Sequence, residues 1–157
     1  MNRDEIKAII DEAIHNFKRT DSYLIEHDVH EQSITGKIAC YILRIITDRF
    51  NSKWNVDVEY NRNLELPKSL HGIGNVKPDI LIHKRGFNNP ENMEENNLLI
   101  VEAKKNPTHA ERKEDIKKIK AFINEDPYHY KYGLFISILT DRKEVETEWF
   151  YREAEGE

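Results

Sequence analysis

Apolar residues recur every three or four positions through the first fifty residues, and in short alternating or continuous runs after that. Over residues 3–18 the apolar positions are Ile6, Ile9, Ile10, Ala13, Ile14 and Phe17, which is helical spacing with a polar reverse face. Residues 18–28 break the pattern, with Asp21 and Ser22 as turn or cap types. A second, longer helix is predicted from near Asp28 to about Phe50 on the stripe Ile34, Ile38, Ile42, Ile45 and Ile46. Residues 54–60 alternate, Val56, Val58 and Tyr60 against Asp57 and Glu59, which predicts a half-exposed first strand with the apolar set turned inward. Residues 61–74 are polar and irregular. Two apolar runs follow, residues 76–83 and 98–105, separated by a segment rich in Asn and Glu. They predict two strands of an antiparallel hairpin. The cap candidate Asn106 and Pro107 then open a helix to about Asn124, with Ile116, Ile119, Phe122 and Ile123 inward. Residues 132–139 predict a buried strand, and residues 145–152 a last one before a frayed tail.

The predicted order is α, α, β, β, β, α, β, β, an α/β chain. A hairpin centred between Pro90 and Glu91 sets Asp79 opposite Glu102. Leu98, Ile100, Glu102 and Lys104 then share one face of their strand, and Leu99, Val101 and Ala103 the other. Both faces are largely apolar, so this strand is expected at the centre of the sheet, covered on both sides.

The length of 157 residues suits one domain with a sizeable core. Charged residues make up 34% and hydrophobic ones 38%, a globular composition with no apolar run near the roughly 20 residues that span a bilayer. No signal-peptide core opens the chain. The single cysteine, Cys40, excludes an intramolecular disulfide and reads as a small buried hydrophobe, and a reducing cytoplasm is the expected compartment. The net charge of −5 argues mildly against a nucleic-acid partner. A local basic cluster works the other way, since Lys104, Lys105, Arg112, Lys113, Lys117, Lys118 and Lys120 follow one another closely. His27 and His30 stand three apart, but no Cys or His completes a zinc site around them.

The paired carboxylates carry the chemistry. Asp79 and Glu102 side by side repel unless a cation lies between them, and oxygen ligands suit a hard ion such as Mg²⁺ or Mn²⁺. Such an ion polarises a phosphodiester and activates water. Lys104, one step beyond, can orient that water or offset charge on the phosphorane. Glu31 falls three residues before Ile34 in the apolar phase of the second helix. It reads either as an ordinary first-turn acid favoured by the helix dipole or as a further acid of the pocket. Gly36, inside that helix, fits close packing or the close approach of a phosphate backbone, and the sequence leaves both open.

Pro78-Asp79 followed by Glu102-Ala103-Lys104 resembles the PD-(D/E)XK nuclease superfamily, over residues 28–139. The resemblance implies a restriction-endonuclease-like core, α-β-β-β-α-β, a mixed sheet flanked by helices. Residues 1–27 would be a helical extension of a single domain, and residues 140–152 an added strand. It implies a metal-dependent nuclease, most directly a DNA endonuclease of the cytoplasm. Asp79 and Glu102 would bind Mg²⁺ or Mn²⁺ with the Ala103 carbonyl, Lys104 would act on the water, and Glu31 would complete the acidic pocket. Lys77, Lys105, Lys113 and Lys117 would be weak contacts to nucleic acid, with Lys105 turned to the opposite face from Lys104. A homodimer is compatible with this, because cutting both strands of a duplex needs two sites; so small and acidic a domain could equally need a partner protein to hold substrate. The alternative is a catalytically inactive nuclease-fold module for nucleic-acid or protein binding. A plain structural protein, the third reading, predicts no metal binding.

Overall fold

A computed structural model describes residues 1–50, 53–60, 62–63, 66–85, 93–125 and 127–152. The chain is mixed α/β. Five strands, β1 (Asn55–Val58), β2 (Ile80–His83), β3 (Asn97–Lys105), β4 (Tyr132–Leu139) and β5 (Glu144–Tyr151), form one sheet in sequence order. All neighbours are antiparallel except β3 and β4. A parallel pair needs a crossover, and helix α3 (His109–Asn124) supplies it. Helices α1 (Arg3–Asp21) and α2 (Glu31–Phe50) complete the fold, with a one-turn helix, Tyr23–Glu26, between them.

The sheet is two-sided because β2, β3 and β4 send alternate residues into two apolar clusters. Ile80, Ile82, Leu99, Val101, Leu134, Ile136 and Ile138 pack with the stripes of α1 and α2. Leu81, Ile100 and Phe135 pack with Ile119, Phe122 and Ile123 of α3. β3 is the central strand, as its apolar faces predict. Helix α1 carries the expected stripe and starts at Asn2, whose side chain accepts from the Glu5 N–H in a capping box.

The hairpin register follows the expectation through Ile80↔Val101, Leu81↔Ile100 and Ile82↔Leu99. One step beyond the ladder it sets Asp79 against Glu102. The predicted loop centre, between Pro90 and Glu91, lies outside the described residues. Leu98 departs from the prediction. The register shifts at Ile82/His83, where His83 pairs with Asn97, so Leu98 is the extra residue of a bulge. It turns into the α1–α2 core with Leu99 instead of sharing a face with Ile100.

Other expectations are corrected. Helix α1 continues to Asp21, and α2 starts at Glu31 rather than Asp28, whose left-handed φ of 51° cannot continue a helix. Cys40 is exposed rather than buried, because Ile38, Ala39 and Ile42 take the inner face of α2 and position 40 falls out of phase. In β1 the alternation is inverted: Asp57 is buried and Val58 is 42% exposed. Asp57 goes inward because His83 Nε2 lies 2.8 Å from its carboxylate and Arg85 Nε donates to it at 2.7 Å. The cap of α3 is Thr108, paired with Glu111 in a capping box, and not Asn106. Asn106 adopts a φ of 46°, its N–H donates to the Ile138 carbonyl, and its side chain bonds Thr140.

Gly133 on β4 shows how closely α3 is seated. A Cβ there would collide with Ile119 and lie 2.7 Å from Ile123 Cδ1. Gly133→Ala should therefore lower the urea-unfolding free energy by about 1–3 kcal/mol. A loss of under about 0.5 kcal/mol would mean that α3 sits more loosely than this packing requires.

Candidate metal-binding carboxylate site

The site forms where the β2–β3 ladder stops. Pro78 would continue the register opposite Ala103, but proline has no N–H to give to the Ala103 carbonyl. The Asp79 side chain takes over the pairing instead: the Ala103 N–H donates to Asp79 Oδ2 at 2.7 Å. Two residues on, the Lys105 N–H donates to Glu31 Oε2, also at 2.7 Å. Alternate residues of a strand present their N–H and C=O groups to the same edge. Asp79 and Glu31 thus cap successive N–H groups roughly 6.5 Å apart, and the Ala103 carbonyl lies on the edge between them.

Glu102 is 4% exposed and hydrogen-bonds the Asp79 carboxylate. Burial pushes its carboxyl well above the ordinary range; the neighbouring charges of Asp79 and Asp115 push the same way and Lys118 opposes them. Burial also raises Asp79, against the stabilising Ala103 N–H and the Glu102 hydrogen bond. Burial and the neighbouring negative charges thus act together to favour the protonated form of Glu102 beside Asp79.

Among the sequence-predicted residues, Asp79, Glu102, Ala103 and Glu31 converge on the end of β3, and Lys104 joins them. Lys104 Nζ lies 3.7 Å from Glu31 Oε1, with about a third of its side chain exposed. Glu31 is the first residue of α2, and its carboxylate is turned to the end of β3. The Lys105 side chain turns the other way. It pairs with Asp28 at 2.7 Å and donates to the carbonyls of Asp28 and Val29, anchoring β3 to the start of α2. Lys77 pairs with Glu59 at 3.0 Å. Lys113 and Lys117 line a shallow groove on the outer face of α3 with Lys120, away from the acids. No side chain packs on Gly36: a Cβ there would meet nothing within 4 Å, so close packing does not explain the glycine.

Helix α3 adds Asp115, which the sequence did not single out, and Lys118, which it placed only in the basic cluster. Asp115 is 7% exposed and pairs with Lys118 at 2.7 Å. Both act electrostatically on Asp79 and Glu102. The signal was available: Asp115 stands four residues before Ile119 and seven before Phe122, in the apolar phase of its helix. Among the described residues no group of three or more His, Cys, Asp or Glu side chains is assembled as a metal cage. The donor set on offer is the carboxylate pair and a backbone carbonyl.

No protein-family model matches the chain. No curated protein matches it. A solved structure described as "Crystal structure of SSO0001" aligns over 93% of this chain and 77% of its own, at 9% identity and a TM-score of 0.37. That likeness is too weak to bear on fold or chemistry.

The raised carboxyl of Glu102 predicts a pH dependence. The folded-state pKa of Glu102 is raised, so its contribution to stability is complete below the ordinary glutamate value of 4.5 and is lost as pH rises through the folded value. Without divalent cations, the wild-type melting temperature should fall progressively as pH rises from 4.5 and level off once Glu102 ionises in the folded state. Glu102→Gln, which keeps a donor for Asp79 without the charge, should flatten the profile and melt higher at pH 8. Superimposable profiles for the two proteins would rule out a perturbed Glu102.

Proposed function

We propose that the chain is a divalent-metal-dependent phosphodiesterase acting on nucleic acid, most directly a DNA endonuclease of the PD-(D/E)XK type with a restriction-endonuclease-like core. One observation carries this reading: two carboxylates from adjacent strands are forced together at a ladder end, where a proline leaves a backbone carbonyl without its ladder donor. A pair of buried acids in contact is unfavourable for stability unless something compensates it. A hard cation does so, and the donor set of Asp79, Glu102 and the Ala103 carbonyl is oxygen only, which suits Mg²⁺ or Mn²⁺. Such an ion supplies Lewis-acid polarisation of a phosphoryl oxygen and a lowered pKa of bound water.

The chain's own residues do the rest. The Ala103 N–H holds Asp79 in one orientation through Oδ2 before any ligand arrives. Glu102 would have to lose its proton for its carboxylate to hold such an ion. Lys118, whose charge already favours the ionised form of Glu102, eases that loss. Lys104 stands at the rim with an ammonium that can offset negative charge building on the phosphorane, and Glu31 steers it from 3.7 Å. Glu31 can also accept a hydrogen bond from an attacking water. Of the four lysines expected to meet phosphates, Lys77 and Lys105 are engaged in ion pairs, and Lys113 and Lys117 have none among the described residues. Affinity resting on so few phosphate contacts should be weak, with log K falling by only about 0.9 per contact for each tenfold rise in salt.

The second reading, a non-catalytic module on the same scaffold, draws on Glu31, whose carboxylate is already committed to the Lys105 N–H and the Lys104 ammonium. Calorimetry with Mn²⁺ separates the two. The nuclease reading expects one saturable site in the wild type, lost in Asp79→Ala/Glu102→Ala. Plasmid, single-stranded and branched DNA should then be cut in Mg²⁺ or Mn²⁺, with Lys104→Ala slower by about 100-fold or more. Metal binding without cleavage of any of these would favour the module. No metal binding at millimolar Mn²⁺ would remove both the ion and the nuclease from the account.

A further inference from the structure

Helices α1 and α2 pack on the face of the sheet opposite α3, and a polar groove of about 360 Å³ runs along the seam between them. Two cross-helix contacts fix their antiparallel alignment. Arg49 pairs with Glu12, and the Tyr41 hydroxyl donates to Asp21 Oδ2 at 2.5 Å. By both contacts Arg19 of α1 is level with positions 42–43 of α2. Arg44 therefore stands only about 1.5–3 Å further along the axis, at 1.5 Å of rise per residue. The two arginines line the same groove, one from each wall, and both are exposed because the apolar stripes hold the inner faces of their helices.

Two guanidinium cations level with each other across one groove repel, and the nearby acids are spent elsewhere. Glu12 is paired with Arg49. Asp21 is paired with Lys37 at 3.6 Å and accepts from Tyr41. Asp48 lines the groove one turn beyond Arg44, but an acid C-terminal to its cation is the less favourable order for a helical ion pair, and none forms. Among the described residues neither Arg19 nor Arg44 makes an ion pair, a side-chain hydrogen bond or a ring contact. The groove thus has two convergent cationic forks at one end and a carboxylate at the other, with Asn16 and Thr20 along the α1 wall.

We propose that Arg19 and Arg44 bind the phosphate group of a small phosphate monoester, whose organic part lies along the groove toward Asp48. The two forks reach the anion from opposite walls. A tetrahedral phosphate offers oxygens to both at once, whereas a planar carboxylate is satisfied by one fork. The volume falls within the roughly 300–1,000 Å³ of small-molecule sites and exceeds the needs of a bare oxyanion. Asn16, Thr20 and Asp48 can hydrogen-bond hydroxyl groups of the organic part. Asp48 also selects against a nucleic-acid backbone, whose next phosphate along the groove would meet a carboxylate. The site is built on α1 and α2 without the carboxylate pair, so it does not depend on the nuclease reading.

Calorimetric titration with ribose 5-phosphate, adenosine 5′-monophosphate and inorganic phosphate, in low salt with EDTA, tests this and distinguishes sugar-phosphate, nucleotide and free-phosphate sources. At least one ester should bind saturably with 1:1 stoichiometry and more tightly than inorganic phosphate. It should need no divalent cation, which separates this binding from the metal site. Arg19→Gln and Arg44→Gln should each weaken it by about 10–100-fold. Both side chains are exposed, so both variants should fold and melt close to the wild type. If neither ester binds at concentrations on the order of 10 mM, the two arginines are simply solvated and the proposal fails. Binding that both substitutions leave unchanged, or inorganic phosphate binding more tightly than either ester, would equally overturn it. So would displacement of the ester by a short oligodeoxynucleotide without terminal phosphates, which would make the groove a nucleic-acid track instead.

Discussion

The hydrogen bond from the Ala103 N–H to the Asp79 carboxylate is the contact on which the site depends. It exists because Pro78 stops the β2–β3 ladder one residue before Asp79 and leaves the central strand running on with β4 but without its β2 neighbour. A strand edge with free N–H groups must be satisfied or covered. Here side-chain carboxylates do this, Asp79 at Ala103 and Glu31 at Lys105. The same arrangement brings Glu102 against Asp79, so the termination of the sheet and the accumulation of acid are one structural event.

The surrounding elements are set by that edge. Helix α2 begins at Glu31, where its first residue can reach the Lys105 N–H, and the Lys105 side chain ties the preceding turn to the strand. Helix α3 is pressed so closely onto Gly133 of β4 that its buried Asp115 and Lys118 act on the acid pair from the other face. The net effect is a buried carboxyl pair whose ionisation burial disfavours, with Lys118 paired to Asp115 near it and Lys104 paired to Glu31 at the rim.

Much of this was legible in the sequence because it rests on local periodicity and simple counting. The stripe of α1, the two-faced β3, the pairing of Asp79 with Glu102 and the phase of Glu31 all follow from periods of two or 3.6. Long-range pairs were not legible. Asp57 turns inward because of His83 and Arg85, 26 and 28 residues away, and no alternation within β1 announces that. Leu98 changes face because of a bulge. Asn106 lost its role as cap because Thr108, two residues on, offered a complete capping box and Asn106 was needed to bond Thr140. Asp115 was visible as a charge in an apolar phase, a pattern that marks either a frustrated helix or a site.

The central claim is that Glu102 keeps a proton that a cation can displace. Infrared difference spectroscopy at pH 7 reads this directly, through the carbonyl stretch of a protonated carboxyl group. The wild type without metal should show that band, Glu102→Gln should lack it, and Mn²⁺ should remove it from the wild type. A metal-free wild type with no protonated carboxyl at pH 7, or a band that survives in Glu102→Gln, would contradict the account.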